Sequence, residues 1–453
     1  MYKNKNRALK AIFSVAALSC LSMTSVAGVT AEEAARLNTD LMPLGGEKAG
    51  NAAGTIPAWT GGYSQAIPAA ADGRRGDPFK DEKPLYSVTA QNMGDYADTL
   101  SDGVKAMLNK YPDTYRLDVY PTHRTAMAPQ WVYDNTAKNA VNASLDGHVL
   151  KGAYGGIPFP IPKTGLEVIR NHTLAWRGSS WEATLNQYQI TKSGKRVLTT
   201  DGHIRQRMPY YFEEEGAAEK FKGFFWEVNL VNQGPPIRAG EMIVGRTNLD
   251  ADKSAAYVYL TGQRRVRKLP NACCDTPTPA TAGLMSFDEL SVFSGSTDTF
   301  DWKLLGKKEM LVPYNNNKAL QFADAEIVNG RHLNPDAVRW ELHRVWVVEA
   351  NVAEGKRHQA PRSIYYIDED TWQAQLGDRW DANGQLWKTL WKFNYVMPDF
   401  PGTIQGTFGY YDLLSSEGYV ANLLGDQKYQ YRKTPRWKTD MFTGRGLAAQ
   451  GVR

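Results

Sequence analysis

From about residue 165 to the C-terminus, β-branched and aromatic residues alternate with polar ones in short runs set between turn signals. A chain patterned this way can bury its apolar side chains only by pairing strands into a sheet with one face inward, and the short turns make that sheet antiparallel. The clearest runs are Gln187 to Ile190 and Arg196 to Thr199 around Ser193-Gly194, then Gly223 to Val231, Ala256 to Leu260 and Val345 to Val352. A three-strand meander follows: Ser363 to Ile367, Trp372 to Trp380 and Gln385 to Tyr395, with turns at Asp368-Glu369-Asp370 and Ala382-Asn383-Gly384. The reading is mainly antiparallel β with a few α-helices, an α+β chain. No exact internal repeat points to a propeller or solenoid.

Helical periodicity is confined to the first third. Thr89 can cap a run through Met93, Tyr96, Ala97, Leu100, Val104 and Leu108 that ends before Pro112, and Trp131 to Ala143 reads as a second helix. Ahead of them, residues 28–85 form a Gly/Pro-rich segment with little periodicity, either an arm laid over the body or a disordered tail; Trp59 between two glycine clusters favours docking. The division is therefore a leader over 1–27, an extended arm over 28–85, and one β-rich domain over 86–453.

The leader reads as a signal peptide. Lys3, Lys5, Arg7 and Lys10 precede the short apolar run Ala11 to Leu21, and Ser25-Val26-Ala27 offers a cleavage site, with Val29-Thr30-Ala31 nearly as suitable. Cys20 lacks the large aliphatic residue usually found three positions ahead of a lipidation cysteine. Export is thus expected, and no later stretch is long and apolar enough to span a membrane. The leader also carries four of the net five positive charges, because the first acid is Glu32. The remaining +1 removes the electrostatic case for nucleic acid.

No motif for catalysis, cofactor or metal emerges. There is no G-x-S-x-G and no phosphate-binding glycine loop, and the seven histidines are scattered singly. The acid clusters Glu213-Glu214-Glu215 and Asp368-Glu369-Asp370 fall at turns, where solvated charge is expected. Cys273 and Cys274 allow either a strained vicinal disulfide or two thiols. Arg264, Arg265 and Arg267 follow a strand and read either as a solvated edge or as a docking site for an acidic partner or head group. Trp340, Trp346, Trp372, Trp380, Trp387 and Trp391 fill a thick core or line a concave apolar surface.

Several longer stretches carry a family likeness. Leu44-Gly45-Gly46-Glu47-Lys48-Ala49-Gly50-Asn51, Gly54-Thr55-Ile56-Pro57-Ala58-Trp59 and Gly155-Gly156-Ile157-Pro158-Phe159-Pro160 resemble the bacterial domain-of-unknown-function 1329 family (DUF1329). Gln263 to Arg267, Asp301 to Glu309 and Glu341 to Glu349 extend the match, and Tyr257 to Lys268 is similar to a strand pair of outer-membrane lipoprotein-sorting proteins. The resemblance implies a fold like the periplasmic carriers LolA and LolB, a curved half-barrel wrapped around helices. It also implies a periplasmic carrier or chaperone for a lipid or other hydrophobic cargo, serving an RND-type exporter and an outer-membrane protein or lipoprotein sorting. It supplies no catalytic residue and no cofactor. On this reading Trp346, Tyr366, Trp387, Trp391 and Phe393 would line the cargo site, and release would need the helices or the arm to move. A non-catalytic adaptor of an envelope transport complex and a carbohydrate-active protein are the alternatives. The pair Cys273-Cys274 departs from the family pattern.

Overall fold

The computed structural model describes residues 28–270, 273–427 and 430–451; the leader, with Cys20 and the first cleavage site, lies outside them. In chain order the elements are α1 (Ala31–Ala35), β1 (Tyr86–Val88), α2 (Asp102–Lys110), β2 (Leu117–Val119), α3 (Gln130–Asn142), β3 (Ser144–Asp146), β4 (Val149–Lys151) and α4 (Gly165–Thr173). A first run of strands follows: β5 (Ser180–Ile190), β6 (Arg196–Arg207), β7 (Phe224–Gly234), β8 (Met242–Asn248), β9 (Ala255–Leu260) and β10 (Arg265–Lys268), with α5 (Ala217–Lys220) between β6 and β7. A second run comprises β11 (Phe300–Pro313), β12 (Trp340–Val352), β13 (Arg362–Asp368), β14 (Ala374–Trp380), β15 (Leu386–Met397), β16 (Gly402–Asp412) and β17 (Gly418–Leu423). Here α6 (Asp324–Ile327) precedes β12, and β18 (Arg432–Lys433) and α7 (Gly444–Gly451) close the chain.

Each run is an antiparallel meander, because successive strands are joined by turns and pair with their neighbours in sequence. The two meanders join where β17, the last strand of the second, pairs with β5, the first strand of the first. The result is one open, curved sheet ordered β10-β9-β8-β7-β6-β5-β17-β16-β15-β14-β13-β12-β11, with β1 and β2 attached to β12. Most of the large apolar side chains join one continuous core around it.

Three local expectations change. The helix expected from Thr89 is two pieces, a 3-10 segment over Met93–Thr99 and then α2. Leu100 between them is extended and buried, and Ser101 restarts the helix by accepting from the Val104 N–H. The expected start of strand periodicity near 165 is occupied by α4, which the Thr164–Glu167 capping box initiates and buried Val168 and Ile169 hold against β11 and β12. The strand expected from Trp372 begins at Ala374, because Trp372 turns the chain at φ 59° and donates its indole N–H to Leu44 O.

That contact shows where the arm lies. The arm starts against α3, where Val29, Leu37 and Leu41 pack with Ala140, and its middle lies beside the second meander, held by Arg124, which donates to Glu47 O at 2.6 Å, and by Arg344 of β12, which donates to Ala49 O at 2.7 Å. Gly45 sits at φ 109° with Pro160 O only 2.1 Å from where a Cβ would be, so the backbone approach there requires glycine. Trp59 anchors the next stretch through its indole N–H to Ala126 O.

Candidate functional site

A cavity of about 370 Å³ opens on one face of the first meander. Register assigns that face: Val228 pairs with Gly245 and Gly245 with Ala256, while Leu230 pairs with Ile243 and Ile243 with Val258. Directly paired residues share a face, so these mostly apolar side chains form a floor. The opposite face is covered by the C-terminal segment, where Met242, Val244 and Tyr259 pack with Leu447 of α7. One sheet thus separates a filled layer from a hollow one.

The roof is the segment joining β10 to β11, which contributes Leu269, Leu290 and Phe293. It is tied to the second meander by buried charge. Asp288 accepts from Arg379 at 2.8 Å and lies 2.9 Å from His358 Nε2, and Lys388 donates to Glu289 at 2.7 Å. Arg379 first, then His358, holds the Asp288 carboxyl far below the usual range against the cost of its burial. Ser291 and Val292 have φ of 54° and 76°, and the branched Val292 in that region marks backbone held under strain beside the cavity.

The inner wall is α4 and the residues after it: Arg170, His172, Thr173 and Arg177. His172 Nδ1 accepts from the Ala374 N–H, so its proton sits on Nε2 and is donated to Phe293 O at 2.9 Å. Burial lowers its pKa well below the ordinary value, and the ring is a neutral strut between β14 and the roof. Arg177 donates to Thr173 O and lies over the Trp226 ring at 6.0 Å. Arg170 donates to the carbonyls of His148 and Leu249, while its Nε is buried with no partner. Among the described residues neither guanidinium has a carboxylate within ion-pair distance, and burial lowers both to about 10. Lys392 Nζ is fully buried and also without a hydrogen-bond partner, and burial first, then Arg177, lowers its pKa well below the ordinary lysine value. The two guanidiniums make the wall cationic where the floor is apolar.

None of the five aromatic residues chosen from the sequence lines this cavity. Trp391 and Phe393 border a separate recess of about 30 Å³ beneath α2, room for little more than water. Tyr366 is buried with its hydroxyl 3.4 Å from Asp378; Trp387 donates to Asp412; Trp346 stacks on Trp372 with Lys307 4.6 Å from its ring. Arg264 in the turn before β10 and Arg265 and Arg267 on β10 are exposed, and Arg265 and Arg267 pair with Leu260 and Val258, placing them on the cavity face. Cys273 and Cys274 are two half-buried thiols rather than a disulfide. Cys273 lines the cavity, and its hydrogen bond holds Cys274 down at about 7. The signal that could have located the site is α4 and the residues after it: Arg170 and His172 on a short capped helix with no acid beyond its first turn, followed by Arg177.

Glu213, Glu214 and Glu215 are exposed, as expected for a turn. Asp368, Glu369 and Asp370 are instead buried, a correction with a clear cause: Arg124 binds both oxygens of Asp370, and Arg344 and Lys307 bind Glu369. The histidines are also less solitary than their spacing suggested. Ligand atoms of His343, Asp368 and Asp370 lie within 4.8 Å of one another. Asp370 is engaged by Arg124, which also holds the arm at Glu47 O, and His343 by Glu341, so the group belongs to a buried charge network beneath the arm. Beside α5, Glu227 lies between Arg207 and Arg246 and Glu214 meets Arg436, so these acids are engaged by arginines rather than poised as a free pair across a groove.

A sequence profile described as "Protein of unknown function (DUF1329)" matches residues 87–448. The chain belongs to this family. It is 37% identical over 451 residues to an uncharacterized protein of Pseudomonas aeruginosa, covering 97% of this chain and 98% of that protein. Among solved structures it is similar to a DUF1329 family protein from Desulfovibrio piger, with TM-score 0.41 and 14% identity over 60% of this chain and 92% of that one. It is also similar to a putative outer membrane lipoprotein-sorting protein domain from Vibrio parahaemolyticus, with TM-score 0.42 and 13% identity over 63% and 98% of the two chains. No helix among the described residues is long and apolar enough to cross a membrane.

Proposed function

We propose that this DUF1329 protein is a non-catalytic periplasmic carrier that holds a lipid or other hydrophobic molecule between β7–β9 and the segment above them. The observation that carries the reading is the cavity itself, about 370 Å³ with an apolar floor, within the range that small-molecule sites occupy. Burial of apolar surface there, at about 25 cal/mol per Å², would supply the affinity. Uptake and release would require the roof to lift, since the arm is clamped on the other meander. The exposed Arg265 and Arg267 would meet an acidic surface on the cavity side.

Native mass spectrometry with lipid extraction, on protein from the periplasmic fraction, tests this directly. Bound hydrophobic cargo is expected in the wild type and should fall severalfold in Ala256→Phe, whose ring would occupy the floor; Trp391→Arg, at the separate small recess, should keep its cargo. Empty wild-type protein, or cargo retained by Ala256→Phe and lost by Trp391→Arg, would refute this site.

A further inference from the structure

The apolar floor explains a hydrophobic cargo, but it does not explain why one wall of the same cavity is cationic. Arg170 and Arg177 line the cavity, and Arg170 is 6% exposed. Among the described residues their donors reach only backbone carbonyls, those of His148 and Leu249 for Arg170 and Thr173 for Arg177, and Asp298 acts on Arg170 through space without an ion pair. Carbonyls satisfy hydrogen bonds without cancelling charge, and a buried guanidinium without an anion is costly. Arg170 Nε remains a buried donor with no partner. The other buried arginines among the described residues behave differently: Arg124, Arg207, Arg339, Arg344 and Arg379 each hold a carboxylate. The uncompensated charge therefore belongs to the cavity rather than to the protein's general style of burial. At about 10, both groups remain charged at neutral pH.

We propose that the cargo is an anionic amphiphile whose carboxylate or phosphate sits on Arg177 and Arg170 while its apolar portion lies along Val228, Ile243, Leu290 and Phe293. This rests on the carrier reading and adds the chemical class of the ligand. A planar guanidinium offers two parallel donors to either oxyanion, and such charge-assisted bonds are about twice as strong as neutral ones. The neutral His172 adds no charge, so the positive potential of the wall comes from the two guanidiniums.

The test displaces a neutral fluorescent probe, N-phenyl-1-naphthylamine, from the mature full-length protein with dodecanoate, methyl dodecanoate and monododecyl phosphate. At least one anion is expected to bind about tenfold or more tighter than the ester. Arg177→Gln with Arg170→Gln should bring that ratio close to one, and Arg177→Lys should preserve part of it. Thermal unfolding of each variant checks that the fold survives, and the lysine variant, which keeps the charge, carries the test if the glutamine pair does not fold. Whichever of dodecanoate and monododecyl phosphate shows the larger preference identifies the head group. Equal binding of acid, phosphate and ester, or a preference that survives both glutamine substitutions, overturns the head-group assignment and leaves the carrier standing. A wild-type protein that binds neither probe nor ligand overturns both.

Discussion

Asp378 on β14 accepts from the Gly103 N–H and the Thr389 hydroxyl, each at 3.0 Å, and no cation among the described residues pairs with it. Burial pushes its carboxyl up to about 6. Below pH ~4 both folded and unfolded states hold the proton; between about 4 and 6 only the folded state does, so stability falls as pH rises through that window and levels off above it. The cost near neutral pH is about 3 kcal/mol. Asp378→Asn keeps an oxygen for Gly103 and gives Thr389 an amide donor. Urea unfolding at several pH values should show the variant losing part of that slope and exceeding the wild type above pH 7; an identical slope assigns the titration elsewhere. Such a residue cannot be recognised from its neighbours in sequence, and Asp368 to Asp370 show why. A run of acids at a turn has the same local pattern whether water or arginine surrounds it, and Arg124, which neutralises Asp370, lies 246 residues away.

At the level of elements, the roof segment depends on a few buried ties. Arg379 donates to Asp288 at 2.8 Å and lies near Glu289 at 3.7 Å. Arg379→Met leaves Asp288 without its guanidinium, a loss of about 3–5 kcal/mol for a broken buried pair. The loss should be local: hydrogen exchange is expected to rise across residues 276–299 while β5 to β8 keep their protection. Deprotection spread over the whole sheet would show that Arg379 supports the fold at large. Elements were the most legible scale in the sequence, because strand alternation and helix caps are local. The runs Gln187 to Ile190 and Arg196 to Thr199 around Ser193-Gly194 are both strands, but longer, as β5 and β6. Strand ends were not legible where partners lie far away. The site was harder still, because density of aromatic residues marks a filled core as readily as an open surface. Trp391 and Phe393 are buried with their rings tilted against each other, whereas the cavity floor uses small and branched residues such as Ala256, Gly245 and Val228.

The whole molecule is two meanders closed at their junction and at one end by distant pieces of chain. Ile190 on β5 pairs with Gly418 on β17, so the sheet becomes continuous only after nearly all of its strands exist. The C-terminal segment then crosses back over the first meander. Asn229 donates to Met441 O, Tyr259 to Gly451 O, and Arg207 to Trp437 O, while Leu447 packs on Met242, Val244 and Tyr259. The alternating pattern gives each of these strands two faces but does not say which segment covers which face, and so does not say which face stays hollow. In the structure the covered face is the one under α7, and the cavity can persist on the other because the sheet is held from behind. Ending the chain after Lys438 should therefore damage the site without touching any residue that lines it. The exposed side chains would cost on the order of 5 kcal/mol. Hydrogen exchange is expected to rise across β7 to β10, probe binding should be lost, and β12 to β16 should remain protected. A truncated protein that melts and binds like the full chain would mean that the first meander supports its cavity unaided, and that the C-terminal segment has no part in keeping it open.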